Sequence, residues 1–243
     1  MANIVVLIKT HVWSPHIEKF ASKILEETTA SGTDFFILMH TETGELVNKI
    51  KNDQIKKCVL KFTEKEIRAL YKIGFYSMWL SNHWILMWFY KKFGSKYKYF
   101  WSLEYDVRIT GPSSHIWKHQ SPHDFLYTLG NYRNMRHQYN SYYVGNKLGP
   151  YQKYFGYLQL ARYSDKVLAY LNKCFEEGEN GQDELITFSL INRGGFTGSK
   201  EFLHGLKKGV WTWQSRYSDY NKKLYDRIEK IPSKQVCIFH PVK

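Results

Sequence analysis

An unbroken apolar run near the amino terminus most constrains how this chain can fold. Residues 4–8 are all isoleucine, valine or leucine. A strand with one face in water alternates apolar and polar residues, whereas a strand covered on both faces does not. The run therefore predicts a central strand of a parallel sheet.

Strands and helices are predicted to alternate through the first half of the chain. Ser14 and Pro15 favour a helix start, because serine is a good N-cap and proline suits the first turn. The predicted elements are a helix over 15–27, strands over 35–39 and 58–60, a helix over 83–93 and a strand from residue 99. This alternation predicts an α/β fold with a mixed, mainly parallel central sheet flanked by helices.

The second half is predicted to hold fewer strands. Its elements are strands over 124–129, 155–162 and 236–241 and helices over 165–177 and 182–192. Since no linker or low-complexity segment separates the halves, we expect one compact unit of residues 1–243. Residues 1–111 would form one half and residues 112–243 the other, around a shared cleft.

Two carboxylates follow the apolar strand that begins at residue 99. Glu104 and Asp106 stand two residues apart, so in a strand they point the same way. Open α/β sheets bind ligands at the carboxyl ends of their strands, and Mg²⁺ and Mn²⁺ are held by carboxylates together with substrate phosphates. The pattern predicts a metal–phosphate site, with an architectural pair that bonds backbone amides or Arg108 as the alternative.

A second acidic pair follows a glycine turn. Asp183 and Glu184 come directly after Gly181 and Gln182, at the start of an apolar helix. Acidic residues in a first turn are ordinary helix capping, because they favour the helix dipole. The functional alternative is a general base that removes a proton from a hydroxyl group.

Further candidates lie at the ends of the first and last predicted strands. His240 lies at the end of the final predicted strand, and Lys243 lies beyond it. The histidine could complete a metal site and the lysine could neutralise a phosphate, although a lone histidine is more often structural. Lys9, Thr10 and His11 end the first strand. Neither a glycine-rich dinucleotide fingerprint nor a P-loop follows them, which disfavours those two nucleotide-binding classes.

Composition limits the partners of the protein. A formal charge of +13 favours an anionic ligand, and an aromatic content of 17% favours ring-lined clefts as well as an aromatic core. The three cysteines show no disulfide or zinc spacing, and no signal peptide or membrane-spanning run is evident. We therefore expect a cytoplasmic protein without membrane insertion.

Two other functions fit parts of this pattern. A basic, aromatic protein could bind single-stranded nucleic acid without being an enzyme, but the basic residues form no aromatic-interleaved stripe. A metal-dependent nuclease or phosphatase would need more clustered acids than Glu104 and Asp106 provide.

Together, residues 101–111 and 181–185 resemble segments of the GT-A class of nucleotide-sugar glycosyltransferases. In size and in lacking an anchor, the chain is similar to the soluble glycosyltransferases of large algal (chlorella) DNA viruses, which would place it in a host cytoplasm. The resemblance implies a Rossmann-like donor half, a metal-bound diphosphate and a later catalytic carboxylate. One departure is that the first acid of the metal motif is Glu rather than Asp.

Carried onto this sequence, the resemblance assigns roles to single residues. Asp106 would bind Mn²⁺ or Mg²⁺ directly, His240 would be a further ligand, and Glu104 would act through water or contact the ribose. Glu184 would be the catalytic base, with Asp183 as the alternative. The other implied contacts are Lys9, Thr10, His11, Trp79, Ser81, Tyr105 and Lys243 for the nucleotide donor, and Tyr157, Trp211 and Trp213 for the acceptor.

The resemblance also implies the reaction. The donor would be a UDP-sugar carrying xylose, glucose or galactose, and the acceptor a hydroxyl group of a glycan or glycoprotein. Attack from the face opposite the leaving diphosphate would invert the configuration at the anomeric carbon. No nucleic acid is expected as a partner.

Overall fold

A seven-stranded sheet runs through the middle of the protein. The computed structural model describes residues 3–72, 77–131, 154–231 and 235–243. Residues 132–153, inside the expected acceptor half, lie outside this description. The strands are β1 (Ile4–Thr10), β2 (Asp34–His40), β3 (Val59–Phe62), β4 (Tyr99–Glu104), β5 (Arg108–Thr110), β6 (Phe125–Tyr127), β7 (Gly130–Asn131), β8 (Phe155–Gly156), β9 (Leu160–Ser164), β10 (Gly198–Ser199) and β11 (Cys237–Phe239).

Helices cover both faces of this sheet. They are α1 (Pro15–Ala30), α2 (Glu45–Asn48), α3 (Asp53–Lys57), α4 (Glu64–Arg68), α5 (His83–Phe93), α6 (Ser114–Trp117), α7 (Asp165–Glu176), α8 (Asp183–Arg193), α9 (Glu201–Leu206) and α10 (Ser218–Glu229). As predicted, Ser14 caps α1 by accepting a hydrogen bond from the backbone of Ile17. Among the helices described, none is long and apolar enough to cross a membrane.

The strand order of the large sheet is β10-β6-β9-β4-β1-β2-β3. Neighbouring strands are parallel except at β9, which runs antiparallel to both β4 and β6. The prediction of a mixed, mainly parallel sheet flanked by helices in one compact unit is therefore confirmed.

Strand β1 shows why its sequence is unbroken in apolar character. Val5 and Leu7 belong to the core cluster on one face of the sheet, and Val6 and Ile8 to the cluster on the other. All four side chains are fully buried. Burial of each such side chain contributes about 1.5–3 kcal/mol, so the two cores hold β1 from both sides.

The single strand predicted over 155–162 is instead two. Phe155 and Gly156 form β8 and pair with β7, whereas the chain pairs with β4 only from Leu160 onward. Gly156 packs so closely on α8 that a Cβ there would lie 2.2 Å from the ring of Phe188. The break leaves Gln159 between the two strands, directly before β9.

A separate two-stranded ribbon lies beside the large sheet. Strand β11 runs antiparallel to β5, with Phe239 opposite Arg108. The backbone N–H of Val242 also donates a 2.8 Å hydrogen bond to the carbonyl of Asp106. This pairing brings His240 next to the segment that follows β4.

Candidate functional site

A cavity of about 580 Å³ opens at the carboxyl edge of the sheet. Strands β1 and β4 are parallel neighbours with Lys9 opposite Glu104, so both chains leave the sheet at this edge. The volume lies in the range of small-molecule sites, about 300–1,000 Å³. The cavity is lined by Lys9, Thr10, His11, His40, Met78, Trp79, Leu80, Asn82, Ile85, Glu104, Tyr105, Asp106, Phe155, Gln159, Gln182, Asp183, Glu184, Trp213, His240 and Lys243.

Glu104, Asp106 and His240, here called the triad, converge on one wall of this cavity. Nε2 of His240 lies 3.3 Å from Oδ1 of Asp106 and 3.6 Å from Oε2 of Glu104. Asp106 does not continue the strand as expected, because the chain turns after Glu104 and the N–H of Val107 bonds back to the Glu104 carbonyl. The two carboxylates still face a common point, but the turn after Glu104 brings them together, rather than the alternation of side chains along a strand.

The triad fits a divalent ion. Each residue offers one ligand atom, and the three atoms lie within 4.8 Å of one another. Oδ1 of Asp106 is buried and makes no aligned hydrogen bond to any described residue, although Nε2 of His240 lies 3.3 Å from it. Buried polar atoms are normally satisfied, so this arrangement has spare capacity for a ligand. Two carboxylates and one imidazole could therefore hold a metal ion.

The two acids of the triad and the positive groups His240 and Lys243 shift one another's pKa values. Burial opposes ionisation of Asp106, but His240 and Lys243 outweigh it and hold the pKa of its carboxyl below the usual value. Burial likewise works against a charged His240, whereas Asp106 and Glu104 raise its pKa to about 9. Nζ of Lys243 lies 3.9 Å from Oδ2 of Asp106. The positive charges of His240 and Lys243 thus favour the ionised form of Asp106, as a bound metal ion would.

Of two polar side chains near the triad, Arg108 bonds elsewhere and Asn82 bonds Glu104. Arg108 does not pair with the two carboxylates, since Nη1 donates to the backbone carbonyls of Tyr105 and Val107. Asn82 stands at the N-cap of α5 but makes no side-chain cap bond there. Its amide instead donates a 3.0 Å hydrogen bond to Oε1 of Glu104.

Asp183 and Glu184, here called the carboxylate pair, line the same cavity from the start of α8. The N–H of Asp183 donates to the carbonyl of Leu80 at 2.8 Å, which ties the helix start to the segment before α5. Gln182 caps the helix by accepting from the N–H of Leu185 at 3.0 Å. Oδ1 of Asp183 accepts from the N–H of Glu184, so the two neighbouring carboxylates have fixed and different surroundings.

Burial favours protons on the carboxylate pair. It raises the pKa of Asp183 to about 7, with Lys9 opposing and Glu104 reinforcing the shift. Burial, Asp183 and Glu104 also hold the pKa of Glu184 well above its usual value. Lys9 is itself 6% exposed, and burial lowers its pKa against the pull of the surrounding acids. A carboxyl with a pKa near neutrality can accept and release a proton under physiological conditions.

Most residues expected to contact a nucleotide do reach the cavity. Lys9, Thr10 and His11 line it from the end of β1, as do Trp79, Tyr105 and Lys243 from other segments. The rings of His11 and Tyr105 meet edge to face with centroids 5.1 Å apart. Burial, with His40 nearby, lowers the pKa of His11 and favours a neutral imidazole.

Three expected contacts are not part of the cavity wall. Ser81 is buried beside it, although its neighbours Leu80 and Asn82 line it. Tyr157 is half-buried against the apolar core. Trp211 is buried behind His240, with ring centroids 5.5 Å apart. Of the aromatics expected at the acceptor, Trp213 lines the cavity and is 59% exposed.

Sequence reasoning missed several polar residues of the cavity, namely His40, Asn82, Gln159 and Gln182. His40 could have been found, because it directly follows the strand predicted over 35–39, at the same edge of the sheet as His11. Gln182 directly precedes the acidic pair, and Asn82 directly precedes the helix predicted over 83–93. Gln159 carries no local signal, since its position depends on where β9 pairs.

No model of a known protein family matches this chain, and a sequence search of curated proteins finds no match. Among solved structures, the chain is similar to a glycosyltransferase involved in glycosylation of the major capsid of PBCV-1, with 11% identity, TM-score 0.35, and coverage of 70% of this chain and 63% of that one. The chain thus spans less than two thirds of that protein.

Two other solved structures show similarity at the same low level of identity. The inositol-1-phosphate CTP transferase from T. maritima is 11% identical with TM-score 0.46, over 82% of this chain and 84% of that one. The catalytic domain of Drosophila β1,4-galactosyltransferase 7, in complex with xylobiose, is 11% identical with TM-score 0.42, over 82% of this chain and 64% of that one.

Proposed function

We propose that this protein is a metal-dependent, inverting glycosyltransferase of the GT-A class. The observation that carries the proposal is that the triad and the carboxylate pair line one cavity of about 580 Å³. The first set offers metal ligands, and the second offers a carboxyl with a raised pKa. Metal-dependent, inverting transfer from a nucleoside diphosphate sugar uses both functions within reach of one substrate.

The four acids also argue against the nucleic-acid alternative. Although the chain has a formal charge of +13, this cavity holds Glu104, Asp106, Asp183 and Glu184. Proteins that bind single strands follow the phosphate backbone with a positively charged groove. Four acidic side chains in the wall are not typical of such a groove.

Asp106 and His240 would hold Mn²⁺ or Mg²⁺ directly, with Glu104 acting through water or on the ribose. Oxygen ligands suit both ions, and an imidazole suits a transition metal better than Mg²⁺. When bound, the ion supplies positive charge that stabilises the departing diphosphate. Lys243, close to Asp106, adds a second positive charge at the same end of the cavity.

Glu184 would act as the general base. Its carboxylate takes the proton of the acceptor hydroxyl, whose oxygen forms the new bond to the anomeric carbon. The bond from that carbon to the diphosphate oxygen breaks, and the nucleoside diphosphate leaves with the electron pair. Attack from the opposite face inverts the anomeric configuration. Asp183, with a pKa of about 7, is the alternative base.

The remaining assignments divide the cavity between donor and acceptor. Thr10, His11, Tyr105 and Trp79 would border the nucleotide of a UDP-sugar carrying xylose, glucose or galactose. The exposed ring of Trp213 would support a glycan or glycoprotein acceptor, because sugar faces pack on aromatic rings. Residues 1–111 would then form the donor half and residues 112–243 the acceptor half, with His240 returning to complete the donor side.

Thermal unfolding with a panel of nucleotides, with and without Mn²⁺, tests this proposal. A ligand that binds only the folded state raises the midpoint of unfolding. We expect UDP and UDP-sugars to raise it in the presence of Mn²⁺ and to have little effect without the ion.

Other outcomes of the panel would contradict the proposal. If no nucleoside diphosphate raises the midpoint in Mn²⁺, the donor site is wrong. A shift with nucleoside triphosphates and sugar phosphates instead would indicate nucleotidyl transfer. Tight, salt-sensitive binding of single-stranded oligonucleotides that is indifferent to Mn²⁺ would favour the non-enzymatic alternative.

A further inference from the structure

Gln159 connects the strand end that carries the triad to the carboxylate pair. It lies directly before β9 and is 4% exposed. Its backbone carbonyl accepts a 2.9 Å hydrogen bond from the N–H of Glu104. Its side-chain amide nitrogen donates a 2.9 Å hydrogen bond to Oε1 of Glu184. One buried residue therefore contacts both the strand end that carries the triad and the proposed base.

Trp211 fixes which way the amide of Gln159 points. Nε1 of its indole lies 3.3 Å from Oε1 of Gln159. An indole N–H can only donate, so it must face the amide oxygen. The amide NH₂ group is thereby turned to Glu184, and the orientation follows from chemistry rather than from an arbitrary choice of the two amide ends.

The two oxygens of the Glu184 carboxylate are consequently unequal. Oε1 receives the short hydrogen bond from Gln159, whereas Oε2 has a longer contact of 3.5 Å with the amide of Gln182. A carboxylate oxygen that already accepts a strong hydrogen bond is the poorer site for a new proton. Oε2 is therefore the oxygen available to an incoming hydroxyl group.

We propose that Gln159, oriented by Trp211, is a positioning residue that holds one oxygen of Glu184 and leaves the other to take the proton of the acceptor. The inference rests on the proposed role of Glu184 as the base. It adds a connection to the other side of the cavity, because the indole that orients Gln159 also packs against His240.

The charged groups around Glu184 set the direction of the expected effect. Asp183 and Glu104 disfavour its ionised form, and Lys9 lies close enough to favour it. The hydrogen bonds from Gln159 and Gln182 also favour the ionised form. Removing the Gln159 amide therefore raises the pKa of Glu184 further and reduces the ionised fraction at neutral pH.

The test is a Gln159→Met variant, which keeps the length of the side chain and removes both the NH₂ donor and the carbonyl acceptor of its amide. We expect kcat at neutral pH to fall about 10- to 100-fold, the usual effect of losing one hydrogen bond to a charged group. The KM for the donor should change little, and the acidic limb of the pH–rate profile should move to higher pH. Trp211→Phe should shift the limb in the same direction by less, because it frees the amide to rotate without removing it.

The chain offers a matched control in α7. The side chain of Asn172 likewise joins a carboxylate and an aromatic donor, because it donates to Glu176 at 3.0 Å and accepts from the hydroxyl of Tyr71 at 2.9 Å. It does not line the cavity. Asn172→Leu should lower thermal stability and leave kcat and its pH profile unchanged.

A measurement without substrate separates this inference from the proposed function. Carboxyl ¹³C shifts of Glu184, followed over pH in the metal-free protein, should titrate at higher pH in Gln159→Met than in the wild type. If that shift is seen but no nucleotide sugar reacts, the contact stands and the assigned reaction fails. An unchanged titration, or a loss of kcat that is equal at every pH, overturns the positioning role.

Discussion

The triad and the carboxylate pair place the same kind of side chain in two opposite electrostatic settings. In the triad, His240 and Lys243 lie beside Asp106, and its pKa is lowered. In the carboxylate pair, burial dominates, and the pKa values of Asp183 and Glu184 are raised. Both sets line one cavity of the same protein.

The difference shows that the surroundings, rather than the residue type, set the direction in which the pKa of each acid shifts. A carboxylate that stays ionised suits the binding of a cation, and one that keeps a proton until near neutral pH suits proton transfer. Pairs of acids whose environments push their pKa values apart are a recurring arrangement in catalysis.

The largest effect is expected from Glu184→Gln. This change removes the proton acceptor and keeps the size of the side chain, so kcat should fall by about 10²- to 10⁴-fold. Binding of the UDP donor, measured by the Mn²⁺-dependent thermal shift, should persist. If Glu184→Gln transfers sugar normally and Asp183→Asn does not, the base is Asp183.

Asp106→Asn should remove the metal-dependent part of donor binding. Losing a charged ligand weakens metal affinity by at least about 10- to 100-fold, the range seen for groups that merely support a ligand. The measurement is a titration with Mn²⁺ at fixed UDP. Glu104→Gln should cost less if Glu104 acts through water, and unchanged affinity in Asp106→Asn would remove that residue from the site.

The carboxylate pair can be tested without any substrate. Because the pKa of Asp183 is about 7 when folded and near 4 when unfolded, the folded state keeps its proton over that window while the unfolded state loses it. Stability from this group therefore falls as pH rises from 4 to 7. Asp183→Asn should raise the free energy of unfolding by about 1–3 kcal/mol at pH 8 and hardly at all at pH 4.

Asp165 provides the control for that measurement. It occupies the corresponding first position of α7, after the N-cap Ser164. Asp165→Asn loses a favourable interaction with the helix dipole and should not stabilise the protein at pH 8. An Asp183→Asn variant that is destabilised at pH 8, or shifted equally at both pH values, would contradict the burial argument.

The smallest effects are expected at the rim of the cavity. Trp213→Ala should raise the KM for the acceptor by about 3- to 10-fold with kcat nearly unchanged, since it removes binding that is equal before and during reaction. Tyr220 is similarly exposed, at 57%, but does not line the cavity. Tyr220→Ala should leave both parameters unchanged, and an effect equal to that of Trp213→Ala would exclude a specific platform.

The sheet could be predicted because its strands carry strong local signals. The apolar run predicts β1, and Ser14 with Pro15 predicts the start of the helix α1 that covers the sheet. Both signals lie within a few residues of the element they predict. The weaker elements could not be predicted in this way. Helix α10, for example, is mostly polar, and Ser218 and Asn221 are its only residues described as buried.

The residues of the candidate site likewise divide into those with a local sequence signal and those without one. Glu104, Asp106 and His240 stood out because each follows an apolar strand, and strand ends meet at one edge. Gln159 did not, because its place beside Glu184 depends on the antiparallel pairing of β9 with β4, a contact between distant parts of the chain. The same pairing divides the segment that local composition indicates as one strand.

The ribbon formed by β5 and β11 has a consequence for how the protein would respond to a chelator. An ion held by Asp106 and His240 would clip together two stretches that are neighbours in space and widely separated along the backbone. Clips across long loops restrict the unfolded ensemble most. A chelator that removes the ion should therefore increase the rate of amide hydrogen exchange more at Cys237–Phe239 than in the central strands.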